Sequence, residues 1–401
     1  MPSASLLSVE KSLPTGSPRA YMIGRANPDA APDPPAKVLQ RRTSACALSN
    51  IFISSLANNQ STDHIFTMVQ IPQRELGSTG VKIPAIGFGA MGLSEFYGSS
   101  DEDTNIAVLK KTIELGASHI DTADMYGTGH NEELIGKVLA EPGLREKVFI
   151  ATKFGNVRGA NGEFLGVSGK PEYVRQQCEL SLKRLGIKQI DLYYQHRVDP
   201  ETPIEETVGE MKKLVEEGKV RFLGLSECSG ETLKKAHKVH PIAAVQIEYS
   251  PWTTDIETNG LLAAARELGV SIVAYSPLGR GMLTGKYRSP EDFEADDFRR
   301  YSPRFSEENM KNNLALVDEF QSLAEKKGCA PSQLCLAWVL KQGKEFFVIP
   351  GTKKEKYLIE NVGAAGVEVT DEEDKEIRAV IKKCTVHGQR YPEQMMGTLN
   401  L

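Results

Sequence analysis

Asp121, Tyr126, Lys153 and His196 follow one another at the ends of three successive expected β-strands. The first two lie in H-I-D-T-A-D-M-Y-G (119–127), the third in V-F-I-A-T-K-F-G (148–155), and the fourth in I-D-L-Y-Y-Q-H (190–196). Delivered to one rim of one sheet, an acid, a phenol, an ammonium and an imidazole can transfer a proton to a carbonyl oxygen while a separate donor supplies hydride. Each residue alone has a plainer reading: a turn or cap aspartate, a half-buried tyrosine, a solvated strand-end lysine, a packed rim histidine. Their order and their shared placement at strand ends favour chemistry.

The elements that must position them alternate. Apolar strand-like runs fall at 85–88, 119–121, 148–153, 190–195, 220–225, 244–248, 271–275 and 346–349, after a hairpin signal over 74–83. Amphipathic helical windows separate them at 102–115, 132–140, 171–185, 204–217, 231–240 and 261–268, followed by a pair across 310–342 and helices at 355–362 and 371–382. Glycines close two of these helices, in K-R-L-G (183–186) and E-E-G (216–218). Eight strand–helix units predict an α/β fold, a (β/α)8 TIM barrel preceded by a β-hairpin. A doubly wound open sheet is the alternative. The barrel is preferred because the reactive residues gather at strand C-termini, the rim where barrels do their chemistry.

Composition narrows the function. Forty-eight basic against 53 acidic residues leave a net charge of −5, and no basic aromatic patch or zinc-finger spacing points to nucleic acid. Six scattered cysteines without a C-x-x-C pair read as reduced thiols of a cytoplasmic enzyme. No apolar run reaches the roughly 18–20 residues needed to span a bilayer. The expected partner is a small carbonyl substrate, with the chain a monomer or weak oligomer. Residues 1–68 differ from the barrel assigned to 69–401: they are rich in Ser, Ala, Pro and Asn and show no sustained period. They read as a disordered leader, or as sequence upstream of a true start at Met68. Organelle import is the lesser alternative, because acidic residues accompany the arginines.

From about Gln73 to the C-terminus the chain resembles the aldo-keto reductase superfamily. The resemblance rests on D-T-A-D-M-Y-G, Thr152–Lys153, Gln195–His196, G-L-S-E (224–227), Y-S-P-L-G-R-G (275–281), I-P-G-T-K (349–353) and Glu360–Asn361. The Y-S-P-L-G-x-G form and the tail H-G-Q-R-Y-P-E-Q-M-M (387–396) look like the microbial and fungal branches. The resemblance implies Tyr126 as general acid, Lys153 lowering the phenol's pKa from its usual value near 10, Asp121 holding Lys153, and neutral His196 orienting the substrate oxygen.

The sequence shows no metal-ligand set, and hydride is assigned to an organic donor. G-F-G-A-M-G (87–92) satisfies G-x-G-x-x-G, but a Ser/Gly-rich loop follows it instead of a helix. It reads as a barrel strand turning into its loop. A phosphate site is expected instead from Ser276, Leu278, Gly279 and Gly281 after strand seven and from Gly351, Thr352, Lys353 and Lys354 at the helix after strand eight. By resemblance, Ser226 and Gln246 would hold a nicotinamide carboxamide, Tyr275 would stack on its ring, and Glu360 and Asn361 would meet the adenine. Two positions depart from the family pattern: Glu227 stands where many relatives carry Asn, and Tyr357 where some branches carry Arg. The two lysines favour NADPH over NADH.

The function expected is NADPH-dependent reduction of an aldehyde or ketone. A specialised biosynthetic or pyridoxal-type reductase is one alternative. A redox-sensing binding subunit like the potassium-channel β subunits is another, which the retained His196 disfavours. The insertion at 286–305, Trp252 and the 391–396 tail are expected either to wall the pocket or to be surface packing.

Overall fold

The computed structural model describes residues 69–98 and 101–401. The expected leader, with its disorder, import and alternative-start readings, lies outside the described residues.

Among the described residues twelve strands run in chain order: β1 (Gln73–Glu75), β2 (Lys82–Pro84), β3 (Phe88–Gly89), β4 (His119–Asp121), β5 (Phe149–Phe154), β6 (Asn156–Arg158), β7 (Phe164–Val167), β8 (Ile190–Gln195), β9 (Val220–Ser226), β10 (Ile242–Glu248), β11 (Ser271–Tyr275) and β12 (Phe346–Val348). Eight of them form one parallel sheet in the order β3-β4-β5-β8-β9-β10-β11-β12. Its two edges meet through a parallel Ile86–Val348 bridge, with Gly87 N donating to Val348 O at 2.8 Å and Val348 N to Ala85 O at 2.9 Å. The open-sheet alternative is thereby excluded; the sheet closes into the barrel.

The helices are α1 (Glu102–Glu114), α2 (His130–Leu139), α3 (Pro171–Leu185), α4 (Ile204–Glu216), α5 (Gly230–Val239), α6 (Leu261–Leu268), α7 (Glu307–Lys327), α8 (Pro331–Lys341), α9 (Glu355–Gly363), α10 (Asp371–Lys383) and the short α11 (Glu393–Met396). Their ends follow the cap chemistry. Asp101 accepts from Thr104 N at the start of α1, and Gly186 ends α3 at φ +65°. Because only a three-residue 3-10 turn (Met91–Leu93) follows and α1 opens at Asp101, the glycines at 87–92 do not lead into an α-helix, and a dinucleotide turn has no place there.

Side-chain parity builds the core. Along β5, Ile150 and Phe154 face the helices, whereas Phe149 and Ala151 face the barrel interior with Leu192, Tyr194, Ala244, Val273 and Phe347. The β1–β2 hairpin adds Leu76 and Ile83 to that interior layer. One element was not anticipated: β6 and β7 form an antiparallel hairpin directly after β5, on the rim side.

Candidate active site

The inward parity of the strands carries straight into the site. On β5, Lys153 follows Phe149 and Ala151 on the inner face; on β8, His196 follows Leu192 and Tyr194. Asp121 ends β4, Ser226 ends β9, Gln246 follows Ala244 on β10, and Tyr275 follows Val273 on β11. A ring of polar groups therefore lies one layer above the apolar filling of the barrel.

Lys153 is fully buried, and its ammonium donates to Asp121 Oδ1 at 2.5 Å and to Thr122 O at 2.7 Å. Its remaining contact is the Tyr126 hydroxyl at 3.4 Å. Gln246 Nε2 donates to the other Asp121 oxygen at 2.7 Å. Tyr126 arrives from the turn after β4, where Gly127 and Thr128 take left-handed conformations and swing the phenol back over the barrel. Its ring meets His196 edge to face at 5.8 Å. The structure thus brings Asp121, Tyr126, Lys153 and His196 together.

Burial dominates the electrostatics. It pulls Asp121 up and Lys153 down, opposed in each case by the partner's charge and hydrogen bond, and the short contact holds the two as an ion pair. Burial, and then the Asp121 charge, push the Tyr126 phenol well above its ordinary value, with Arg197 pulling the other way. The net lowering expected from Lys153 is not found. Burial, Lys153 and Arg197 together hold His196 far below the usual imidazole range, so it is neutral, and its Nδ1 has no hydrogen-bond partner.

Of the residues assigned to the cofactor, Ser226, Gln246, Tyr275 and the loops at 276–281 and 351–354 follow strand ends on the same rim, whereas Glu360 and Asn361 lie within α9. Ser226 Oγ is buried without a hydrogen-bond partner. Gln246 spends its amide group on Asp121, and Tyr275 donates to Glu227 Oε1 at 2.7 Å. Ser276, Leu278, Gly279 and Gly281 form a tight loop after β11. A Cβ on Gly279 would lie 2.6 Å from the Trp252 ring, so packing against Trp252 already requires glycine there. Gly351 is likewise required where the barrel closes, since a Cβ would lie 2.4 Å from Gly89 O. Thr352 precedes α9, whose N-cap is Lys354. Lys353 donates to Tyr97 O at 2.5 Å and Gly98 O at 3.3 Å, tying the loop after β12 to the loop after β3. Glu360 bonds Ser332 on α8, and Asn361 is buried beside it.

Several contributors are invisible as motifs. Glu227 is wholly buried and accepts from Arg390 Nη2 at 3.0 Å as well as from Tyr275 and Glu248 N. Tyr391 meets Tyr275 hydroxyl to hydroxyl at 3.2 Å, with Arg280 lying 4.4 Å over its ring. The tail therefore reaches the rim. The 286–305 insertion touches it through Phe298, whose amide bonds Phe96 O and whose ring faces Tyr391. Trp252 is buried, with its ring packed edge to face against Phe305 and beneath Gly279. The partner of Glu227 could not be found from sequence because the two residues are 163 positions apart.

Such a barrel, with this polar ring, defines a class. The chain belongs to the aldo/keto reductase family, whose sequence model matches residues 85–382. Among curated relatives it is 48% identical over 326 residues to the aldo-keto reductase yakc [NADP(+)] of Schizosaccharomyces pombe, covering 81% of this chain and 95% of that protein. It is 52% identical over 328 residues to the aldo-keto reductase str7 of Strobilurus tenacellus, covering 80% and 95%. Among solved structures, the glycerol dehydrogenase AKR11B4 of Gluconobacter oxydans superposes with TM-score 0.71 at 31% identity, over 79% of this chain and 97% of that one. The thermostable aldo-keto reductase Tm1743 does so with TM-score 0.64 at 30% identity, over 77% and 100%. Among the described residues no helix is long and apolar enough to cross a membrane.

Proposed function

We propose that the protein is an NADPH-dependent reductase of aldehydes or ketones in which Tyr126 is the general acid. The observation that carries this reading is the Tyr126 hydroxyl 3.4 Å from a buried ammonium that Asp121 anchors at 2.5 Å.

The residues fit a nicotinamide cofactor. Ser226 offers a buried hydroxyl without a protein partner, the tight loop at 276–281 presents backbone close to the surface, and α9 begins beside Thr352 and Lys354. Lys353 and Lys354 favour the extra phosphate of NADPH, as does the cofactor in the name of the S. pombe relative. When bound, the cofactor supplies hydride for the carbonyl carbon.

This chain's own residues do the rest. His196, neutral through burial, orients the carbonyl oxygen by a hydrogen bond. Tyr126, whose phenol stays protonated at neutral pH, gives its proton to that oxygen as negative charge develops there. The phenolate left behind is stabilised by the ammonium of Lys153. Asp121 keeps Lys153 in place and is itself fixed by Gln246.

Tyr126→Phe keeps the ring and removes the proton. It is expected to lower kcat by about 10²- to 10⁴-fold while NADPH still quenches protein fluorescence with a nearly unchanged Kd. Carbonyl-dependent NADPH oxidation at the wild-type rate would remove Tyr126 from the mechanism.

A further inference from the structure

We propose that Arg197 is an anion-recognition residue, and that the preferred substrates are carbonyl compounds carrying a carboxylate close to the reacting carbonyl. This deepens the reductase reading and rests on it.

The arginines around the rim differ in one respect. Arg158 pairs with Glu95, Arg280 and Arg304 with Glu248, Arg299 with Asp297, and Arg390 with Glu227, all at 2.6–3.3 Å. Arg197 has no such pair among the described residues. Its one hydrogen bond runs from Nη1 to the carbonyl of its own neighbour, His196, at 2.7 Å. That bond spends one of five guanidinium N–H groups.

Its position makes the unspent charge relevant. Arg197 immediately follows His196 at the end of β8, and it is half-buried, so solute can reach it. Its position directly after His196 and its bond to the His196 carbonyl put the guanidinium at the rim beside the candidate site, and its charge is felt by Tyr126, His196 and Lys153 as well as by the Tyr275, Tyr391 and Glu227 groups around it. Glu227, the carboxylate whose charge it feels, is already satisfied by Arg390, Tyr275 and Glu248 N.

The charge count at the mouth agrees. Asp121 and Lys153 cancel, Glu227 and Arg390 cancel, and Glu248 with Asp255 answers Arg280 and Arg304, which leaves the Arg197 charge unanswered. An incoming anion meets an excess of positive charge in a partly desolvated cleft, where a planar guanidinium binds a carboxylate through two parallel hydrogen bonds. A substrate held in this way has its carbonyl beside His196 and Tyr126, because Arg197 is tethered to the His196 backbone.

Matched acid and ester pairs test this: phenylglyoxylate against its methyl ester, and 4-oxobutanoate against its methyl ester, each with NADPH. The wild type is expected to favour each acid over its ester in kcat/KM. Arg197→Met is expected to reduce the acid-to-ester ratio by ~10- to 100-fold, the size of a lost charge-assisted contact. The loss should appear mainly in KM for the acids, and Arg197→Lys should recover part of the ratio. Melting temperature and the NADPH Kd, measured on the same variants, report folding and cofactor binding. A ratio unchanged by Arg197→Met, with the esters still turned over, overturns the anion site and leaves the reductase reading intact. An NADPH Kd that rises as much as the ratio falls assigns the charge to the cofactor and also overturns it. Absence of turnover with both acids while other aldehydes or ketones are reduced overturns the anion site alone, and absence of NADPH oxidation with any aldehyde or ketone defeats both readings.

Discussion

Lys153 and Asp121 come from adjacent strands, β5 and β4, whose register is fixed by parallel pairing from His119–Phe149 to Asp121–Ala151. Glu227 and Arg390 make an ion pair of similar burial on the acidic side, but the arginine rides on the C-terminal tail. In the first pair both backbones are held by the sheet, so neither charge can move toward water if the other is lost. In the second the arginine is carried by a segment outside the sheet, so the tail is expected to give way more readily and let solvent reach the glutamate. A buried charge is expensive in proportion to how little its surroundings can relax.

Lys153→Met attacks the strand-borne pair and carries the largest expected effect. It leaves Asp121 buried with only Gln246 as donor. The expected loss of stability is about 3–5 kcal/mol, read from urea unfolding, together with the loss of reduction. Adding Asp121→Asn should return much of the stability, because the double variant contains no uncompensated charge, but none of the activity. A cost below about 1 kcal/mol for Lys153→Met would mean that water enters the barrel rim freely, and the contrast between the two pairs would fail.

His119 sharpens the same contrast from lower in the barrel. It is fully buried near Phe149 and Phe347, and neither ring nitrogen has a hydrogen-bond partner. Burial, aided by the Lys153 charge, brings its pKa down to about 4. Since the folded value is below the ordinary 6.5, the unfolded chain takes up the proton first. The stabilisation tied to neutral His119 is therefore complete above pH 6.5 and is lost as the pH falls toward 4. It amounts to roughly 3 kcal/mol over that window. Urea midpoints measured across it should fall more steeply for the wild type than for His119→Leu; parallel curves would show that the barrel interior can solvate this group.

Arg390→Gln tests the loop-borne pair. Glu227 keeps the Tyr275 hydroxyl and the Glu248 amide as donors, so the expected cost is about 1–2 kcal/mol. The clearer sign should be faster proteolysis in the tail, with the barrel left intact. A loss as large as that of Lys153→Met would place the tail within the same rigid unit as the strands.

The same division explains what was legible in the sequence. Strand–helix alternation is a local pattern, so the barrel and the strand-end placement of Asp121, Lys153 and His196 follow from short apolar runs, whereas Ser226, Gln246 and Tyr275 are reached only through the family resemblance. The rim outside the strands does not follow any period. Glu227 read as a departure at a cofactor position, while its anchoring of Arg390 depends on a contact between distant segments. For Trp252 the sequence leaves pocket wall and packing equally open, because its contact with Phe305 depends on an insertion distant in sequence. Arg197 was passed over because a charged residue beside a strand end is usually a solvated one. The β6–β7 hairpin was the avoidable omission. Asn161-Gly162 between extended residues is a standard hairpin signal, hidden here by the weak apolar character of 156–167.

That hairpin supplies the smallest expected effect and the finest test of where rigidity ends. It grows from the end of β5, and Arg158 links it through Glu95 at 2.6 Å to the amide of Gly127, next to Tyr126. Gly162 takes φ +81° at its turn, and an added Cβ would meet nothing closer than Thr128 Oγ1 at 3.6 Å. Gly162→Ala therefore introduces backbone strain without a clash, at a cost of about 1 kcal/mol. If the hairpin belongs with the relaxing outer rim, that cost stays local. Amides of β6 and β7 should exchange faster with solvent, while the urea midpoint and kcat/KM change by less than about twofold. If kcat/KM instead falls tenfold with the global stability preserved, the Arg158–Glu95–Gly127 chain transmits hairpin strain to the phenol. The boundary between the fixed site and its adaptable surroundings would then lie beyond the hairpin rather than at the strand ends.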